Sequence, residues 1–220
     1  MARLHPDSNF LAEYSAGGLS PAQSISVSAH LHFCAQCRDR ILSLEEIGGV
    51  LLEQTAPETV SADALESVLG RIDSPAEQPA ARREIRVTDS DLSRLPKLVQ
   101  RLMPEGKPGW RKLSPSLEIA RIPVGETVFE LALHKIKPGG TAPLHDHKGR
   151  EITVVLQGSF SDDDGVYQEG DFVVREPGDV HTPMATQHDQ CICLSACEAP
   201  IRMVGPFKRL LNPFISFRPA

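Results

Sequence analysis

Residues 139–158 read GGTAPLHDHKGREITVVLQG. His145 and His147 stand two apart, and Glu151 follows at the head of an apolar, β-branched run. In a strand, residues i and i+2 point to the same face, so both imidazoles can aim at one point. One hairpin further on, residues 170–181 read GDFVVREPGDVH: a short strand, a Pro-Gly turn and a third histidine, His181. Three imidazoles and one carboxylate form a donor set for a divalent metal. His145, His147, Glu151 and His181 are therefore the first candidate metal ligands. Their mixed hard and borderline character admits Zn, Fe(II), Mn or Ni.

The spacing carries a resemblance. Gly139, five residues, HxH, three residues, Glu151, six residues and Gly158 resemble the first motif of the cupin family. Residues 170–181 resemble its second motif with departures. Six residues rather than five separate Gly170 from Pro177, Pro177 abuts Gly178, and Ala185 stands where Asn is common. The flanking chain fits an all-β unit, because alternating runs at 117–122, 127–136, 151–160, 170–174, 191–196 and 201–204 are separated by Gly and Pro turns. Residues 205–211 are expected to be a short helix or loop outside the barrel. The acidic run at 161–165 reads as a solvated hairpin tip. Cys191 and Cys193 share a strand face, with Cys197 just beyond. They are either small buried side chains or thiols that respond to oxidants. His134 and His188 belong to no constellation.

Composition narrows the class. The chain has 220 residues, long enough for two modest domains, with 40% hydrophobic residues and a net charge of −6. The acidic balance argues against direct nucleic-acid binding and favours a basic partner or none. No apolar run approaches the roughly 20 residues of a membrane span, and no secretory leader is evident, so a cytoplasmic protein is expected. Five cysteines include one CxxC, which in a reducing compartment suggests metal or redox work rather than a disulfide framework.

A second constellation lies near the N-terminus. Asp7 or Ser8 can cap a first helix that ends at Gly17-Gly18, and Ser20-Pro21 starts another. His30, Cys34 and Cys37 are spaced 0, 4 and 7, as on one face of a helix. Thiolates and imidazole at that spacing suit tetrahedral zinc. The blander alternative is a helix-face histidine beside two buried thiols or a redox pair. His5, just ahead of the first helix, is the candidate fourth ligand, whereas His32 projects elsewhere. A third helix is expected over about 38–53, with Ile41, Leu44, Ile47 and Leu51 as its buried stripe. Ser61 caps a fourth, carrying Leu65, Val68, Leu69 and Ile72.

HxxxCxxC together with the upstream HPDSNFLAEYSAGGL resembles the zinc-binding anti-sigma domain, and in combination with a cupin half it is similar to the ChrR-type anti-sigma factors. The resemblance implies that His5, His30, Cys34 and Cys37 hold a structural zinc. It implies zinc in the cupin site as well. It implies that the helices wrap an ECF-type sigma factor, and that the cupin half senses singlet oxygen or hydroperoxide stress. The expected fold is α + β in two domains: a small N-terminal zinc-binding helical bundle and a C-terminal all-β cupin, a jelly-roll barrel. The expected boundaries are 1–85 for the anti-sigma unit, 86–109 for a connector and 110–220 for the cupin, with a flexible linker over 73–83 and short helical turns before Trp110. The expected chain is a regulator and not an enzyme. The competing reading is a metal-dependent cupin dioxygenase or isomerase, for which no general base stands out beyond the ligands. Self-association is left open.

Overall fold

The computed structural model describes residues 2–73, 89–103, 106–204 and 217–219. Most of the expected 73–83 linker and the 205–211 segment lie outside these residues.

Four helices open the chain: α1 (Ser8–Ser15), α2 (Pro21–Phe33), α3 (Ala35–Glu53) and α4 (Ala64–Asp73). Asp7 caps α1 by accepting from the Phe10 amide. Ser20 caps α2 in a reciprocal box with Gln23, and Pro21 at the first helical position loses no bond that the helix needs. The HxxxCxxC run does not lie on one continuous helix, contrary to the sequence expectation. Cys34 is extended (φ −115, ψ 103), ends α2 and starts α3. Its thiol accepts from the Cys37 amide at 3.4 Å, so sulfur performs the N-cap role that Ser or Asp usually fills.

Among the described residues twelve strands follow: β1 (Arg111–Lys112), β2 (Leu117–Arg121), β3 (Glu130–Ile136), β4 (His145–Asp146), β5 (Glu151–Gln157), β6 (Ser159–Asp162), β7 (Gly165–Gln168), β8 (Phe172–Arg175), β9 (Val180–His181), β10 (Met184–Ala185), β11 (Cys191–Cys197) and β12 (Arg202–Met203). They form a six-stranded sheet ordered β1-β2-β3-β11-β5-β8 and two three-stranded sheets, β10-β6-β7 and β12-β4-β9. All pairings are antiparallel, as in a cupin jelly roll. The run expected as one strand over 151–160 breaks at Gly158. This glycine has φ +72, and a Cβ there would collide with the Gln190 carbonyl oxygen.

The period of two explains how the halves join. Ile152, Val154 and Leu156 of β5 and Ile192, Leu194 and Ala196 of β11 lie in one core cluster with Val27, Ala29 and Leu11 of the N-terminal helices. Val155, Cys191 and Cys193 point the other way, into the barrel, with Leu117, Phe160 and Tyr167. The six-stranded sheet is therefore apolar on both faces, and α2 covers its outer one. The connector joins the same cluster as short helical turns: a 3-10 turn (Leu92–Arg94) and α5 (Lys97–Leu102), with Leu92, Leu95, Val99 and Met103 buried. Pro96, which disturbs the apolar periodicity, is the N-cap of α5.

The stripe expected on α3 is only partly buried. Ile41 is buried, but Ile47 and Leu51 are 57% and 60% exposed. Beyond Leu44, which packs half-buried against the core cluster, the apolar positions of α3 face solvent. Leu65, Val68, Leu69 and Ile72 of α4 are exposed as well.

Candidate metal centres

The N-terminal centre is assembled by three pieces of chain: the segment before α1, the last turn of α2 and the start of α3. One ligand atom each from His5, His30, Cys34 and Cys37 lies within 4.8 Å of the other three. His5 Nδ1 is 3.3 Å from Cys34 Sγ and 3.5 Å from Cys37 Sγ, and His30 Nε2 is 3.3 Å from Cys37 Sγ. A tetrahedral ion with bonds of about 2.0 Å to nitrogen and about 2.3 Å to sulfur spans nitrogen–sulfur edges of roughly 3.5 Å, so the donors fit one. Burial, with the neighbouring Cys34 thiol, pushes Cys37 up to about 12. Two thiolates in contact repel, and a divalent cation between them removes that penalty. Burial also lowers the pKa of His30 and favours the neutral imidazole that a metal requires, against the opposing pull of the Gly170 carbonyl.

The cupin centre is built on β4, β5 and β9. The β4–β9 register sets His145 opposite His181. His147 follows β4 directly, and Glu151 begins β5. Here too the four ligand atoms lie within 4.8 Å of one another, and all four residues are buried. His181 Nε2 is 3.1 Å from His147 Nε2 and 3.2 Å from His145 Nε2. The groups behind the ligands fix the tautomers. His145 Nδ1 donates to the Pro143 carbonyl at 2.8 Å, and His181 Nδ1 donates to Asp162 Oδ2 at 2.9 Å. Both rings therefore present bare Nε2 lone pairs to each other across 3.2 Å, an arrangement that calls for a cation.

Charge and solvation agree with this. Burial lowers His145 to about 4 and also lowers His147. Burial would raise Glu151, but the imidazoles of His147 and His145 and a 2.6 Å hydrogen bond from Ser195 Oγ outweigh it and hold the carboxyl at about 2. At neutral pH His145 and His147 are therefore neutral imidazoles and Glu151 is a carboxylate, the protonation states of metal ligands.

Asp162 was not singled out in the sequence. It opens the acidic run expected to be a solvated tip. Asp163 and Asp164 are exposed, but the Asp162 side chain is fully buried and is gripped by Arg175 Nη2 at 2.6 Å and Tyr167 Oη at 3.1 Å. The signal lay in alternation: along β6, Phe160 and Asp162 share a face, and Phe160 is core. Cys191 and Cys193 share the inner face as expected, with their sulfurs 3.5 Å apart, and Cys197 Sγ lies 3.5 Å from Glu151 Oε1. His134 and His188 enter neither cluster.

The comparisons with known proteins cover both halves. A family model described as the ChrR Cupin-like domain matches residues 105–199. The chain is 36% identical over 213 residues to the Anti-sigma-E factor ChrR of Cereibacter sphaeroides, spanning 96% of this chain and 97% of that protein. The crystal structure of Rhodobacter sphaeroides SigE in complex with the anti-sigma ChrR superposes with a TM-score of 0.75 at 33% identity, covering 90% of this chain and 99% of the matched one.

Proposed function

The chain belongs to the ChrR family of anti-sigma factors, and from that premise we propose that it sequesters an ECF-type sigma factor of RNA polymerase. The inhibitory unit is residues 1–85, residues 86–109 connect, and residues 110–220 receive the signal. The observation that carries this reading is the apolar surface of α3 and α4. Leu42, Ile47, Val50, Leu51 and Leu52 of α3 and Leu65 and Ile72 of α4 each expose about half or more of their surface. So much apolar surface on two consecutive helices marks a protein-binding site. The solved complex of a relative with its sigma factor supplies the class of occupant.

His5, His30, Cys34 and Cys37 hold zinc as a structural ion, because a closed set of two sulfurs and two nitrogens is its preferred environment. His145, His147, Glu151 and His181 hold a second ion, read as zinc in this family, with Fe, Mn or Ni also compatible with the donors. The signal is oxidative, singlet oxygen or a hydroperoxide, and it acts on the cupin half. The chain is read as a regulator and not as an enzyme, because the relative it matches over nearly its whole length is an anti-sigma factor. No helix among the described residues is long and apolar enough to cross a membrane, in keeping with a cytoplasmic partner.

The deciding experiment is co-purification with the ECF sigma factor of the same organism, with metals counted per chain. A stable complex and two metal equivalents are expected, one lost in Cys34→Ser and the other in His145→Ala. Failure to retain sigma ends the anti-sigma reading. Consumption of dioxygen with a small diketone, abolished by His145→Ala, would replace it with the enzymatic one.

A further inference from the structure

The N-terminal centre is not held by the N-terminal helices alone. His30 is fully buried, and its Nδ1 lies 2.6 Å from the carbonyl oxygen of Gly170, in the turn between β7 and β8 of the cupin half. Nδ1–H is thereby the donor, and Nε2 is left to face Cys37. The ring of Phe172 meets the His30 ring edge-on, with centroids 5.8 Å apart. Between these two residues stands Asp171, whose side chain is fully buried. Its Oδ1 accepts from the amides of Arg3 at 2.6 Å and Leu4 at 3.1 Å, and its Oδ2 accepts from the Gln168 amide at 2.9 Å. The Phe172 amide closes the strap by donating to the Leu4 carbonyl at 3.0 Å. His5 is the next residue.

Three consecutive cupin residues thus place two of the four N-terminal ligands: Gly170 and Phe172 hold the His30 ring, and Asp171 with the Phe172 amide holds the chain that delivers His5. Gly170 has φ +90, and a Cβ there would stand 2.7 Å from Phe33 Cβ, so only glycine lets the turn approach the end of α2 this closely. We infer that the Gly170–Asp171–Phe172 turn is the positioning element of the N-terminal metal centre, with Asp171 as its chief positioning residue. Groups that orient metal ligands commonly contribute 10–100-fold in affinity. The inference rests on the reading above that His5, His30, Cys34 and Cys37 bind a metal. It adds that their grip depends on the cupin half.

The test uses the full-length protein loaded with Co(II), whose thiolate charge-transfer absorption reports the Cys34/Cys37 centre, since the cupin ligands contain no sulfur. Chelator is titrated against that band, and cupin metal is counted in parallel. Asp171→Ala is expected to lose the band at about 10–100-fold lower chelator concentration, with cupin metal retained. Asp171→Asn keeps an oxygen for the Arg3 and Leu4 amides but sets a donor against the Gln168 amide, and should recover part of the loss. Wild-type chelator resistance in Asp171→Ala overturns the inference. If the wild-type protein shows no thiolate band, the metal reading fails instead. Should Asp171→Ala not fold, nitrogen-15 spectra of the zinc-loaded wild-type protein decide: a slowly exchanging His30 Nδ1–H supports the turn's role, and a rapidly exchanging one refutes it.

Discussion

Asp162 Oδ2 lies 2.9 Å from His181 Nδ1, and Arg175 Nη2 holds the same oxygen from the other side at 2.6 Å. The carboxylate fixes the orientation of the imidazole and which nitrogen faces the metal. Asp162→Ala should lower cupin metal affinity by about 10–100-fold, with Asp162→Asn intermediate because its carbonyl can still accept from Nδ1. Competition with a chelator measures both. The N-terminal metal should be unaffected in count, which separates loss of a ligand's support from loss of the fold.

Acid should destabilise the metal-free protein in two stages. Burial depresses His145 from 6.5 to about 4, so as pH falls below 6.5 the unfolded chain gains a proton that the folded chain resists. Stability is full above 6.5 and declines until the folded pKa is reached, by about 3 kcal/mol at most for this residue. Glu151 adds a second loss between 4.5 and about 2, where the unfolded carboxyl protonates first. Melting temperatures of metal-free protein from pH 7.5 to 4 check the first stage. His145→Gln, which does not titrate, should make that segment shallower, leaving the share of the other histidines lowered by burial, His30, His134 and His147.

The two ligand sets were legible because a metal needs several donors of fixed chemistry, and strand and helix periods place them at readable intervals. His145 and His147 sit two apart on the strand side of the barrel, and the HxxxCxxC run brackets one helix junction. What lay beyond reading was whatever depends on partners distant in sequence. Asp162 looks like any hairpin aspartate until β9 brings His181 beside it, 19 positions away. Gly170 meets His30 across 140 positions. The apolar positions of α3 had the right period for a core, but periodicity does not distinguish a core from a docking face. Ile41 joins the core cluster, and Ile47 and Leu51 do not.

The barrel thiols should be silent in the resting protein. The neighbouring Cys191 thiol and burial raise Cys193, and burial next to Glu151 raises Cys197, so neither forms the reactive thiolate at neutral pH. Iodoacetamide at pH 7.5 should label none of Cys191, Cys193 and Cys197 in the metal-loaded protein, and all three once it is denatured, as read by peptide mass spectrometry. Rapid labelling of the folded protein would show that the barrel opens on its own.

The exposed face of α3 makes the sharpest demand on the proposed partner. Ile47 and Leu51 are more than half exposed and lie four residues apart, on one side of the helix. Leu51→Asp should leave folding within about 0.5 kcal/mol of wild type, because nothing in the core is lost. If the sigma factor buries this side chain, the same change costs 2 kcal/mol or more in binding, about 30-fold in Kd. Val128→Asp is the matched control, since Val128 is 51% exposed and belongs to the cupin half rather than to α3 or α4. Calorimetric or optical titration of both variants with the sigma factor should show weakening in the first and none in the second. Equal weakening would move the docking surface from the helices to the barrel.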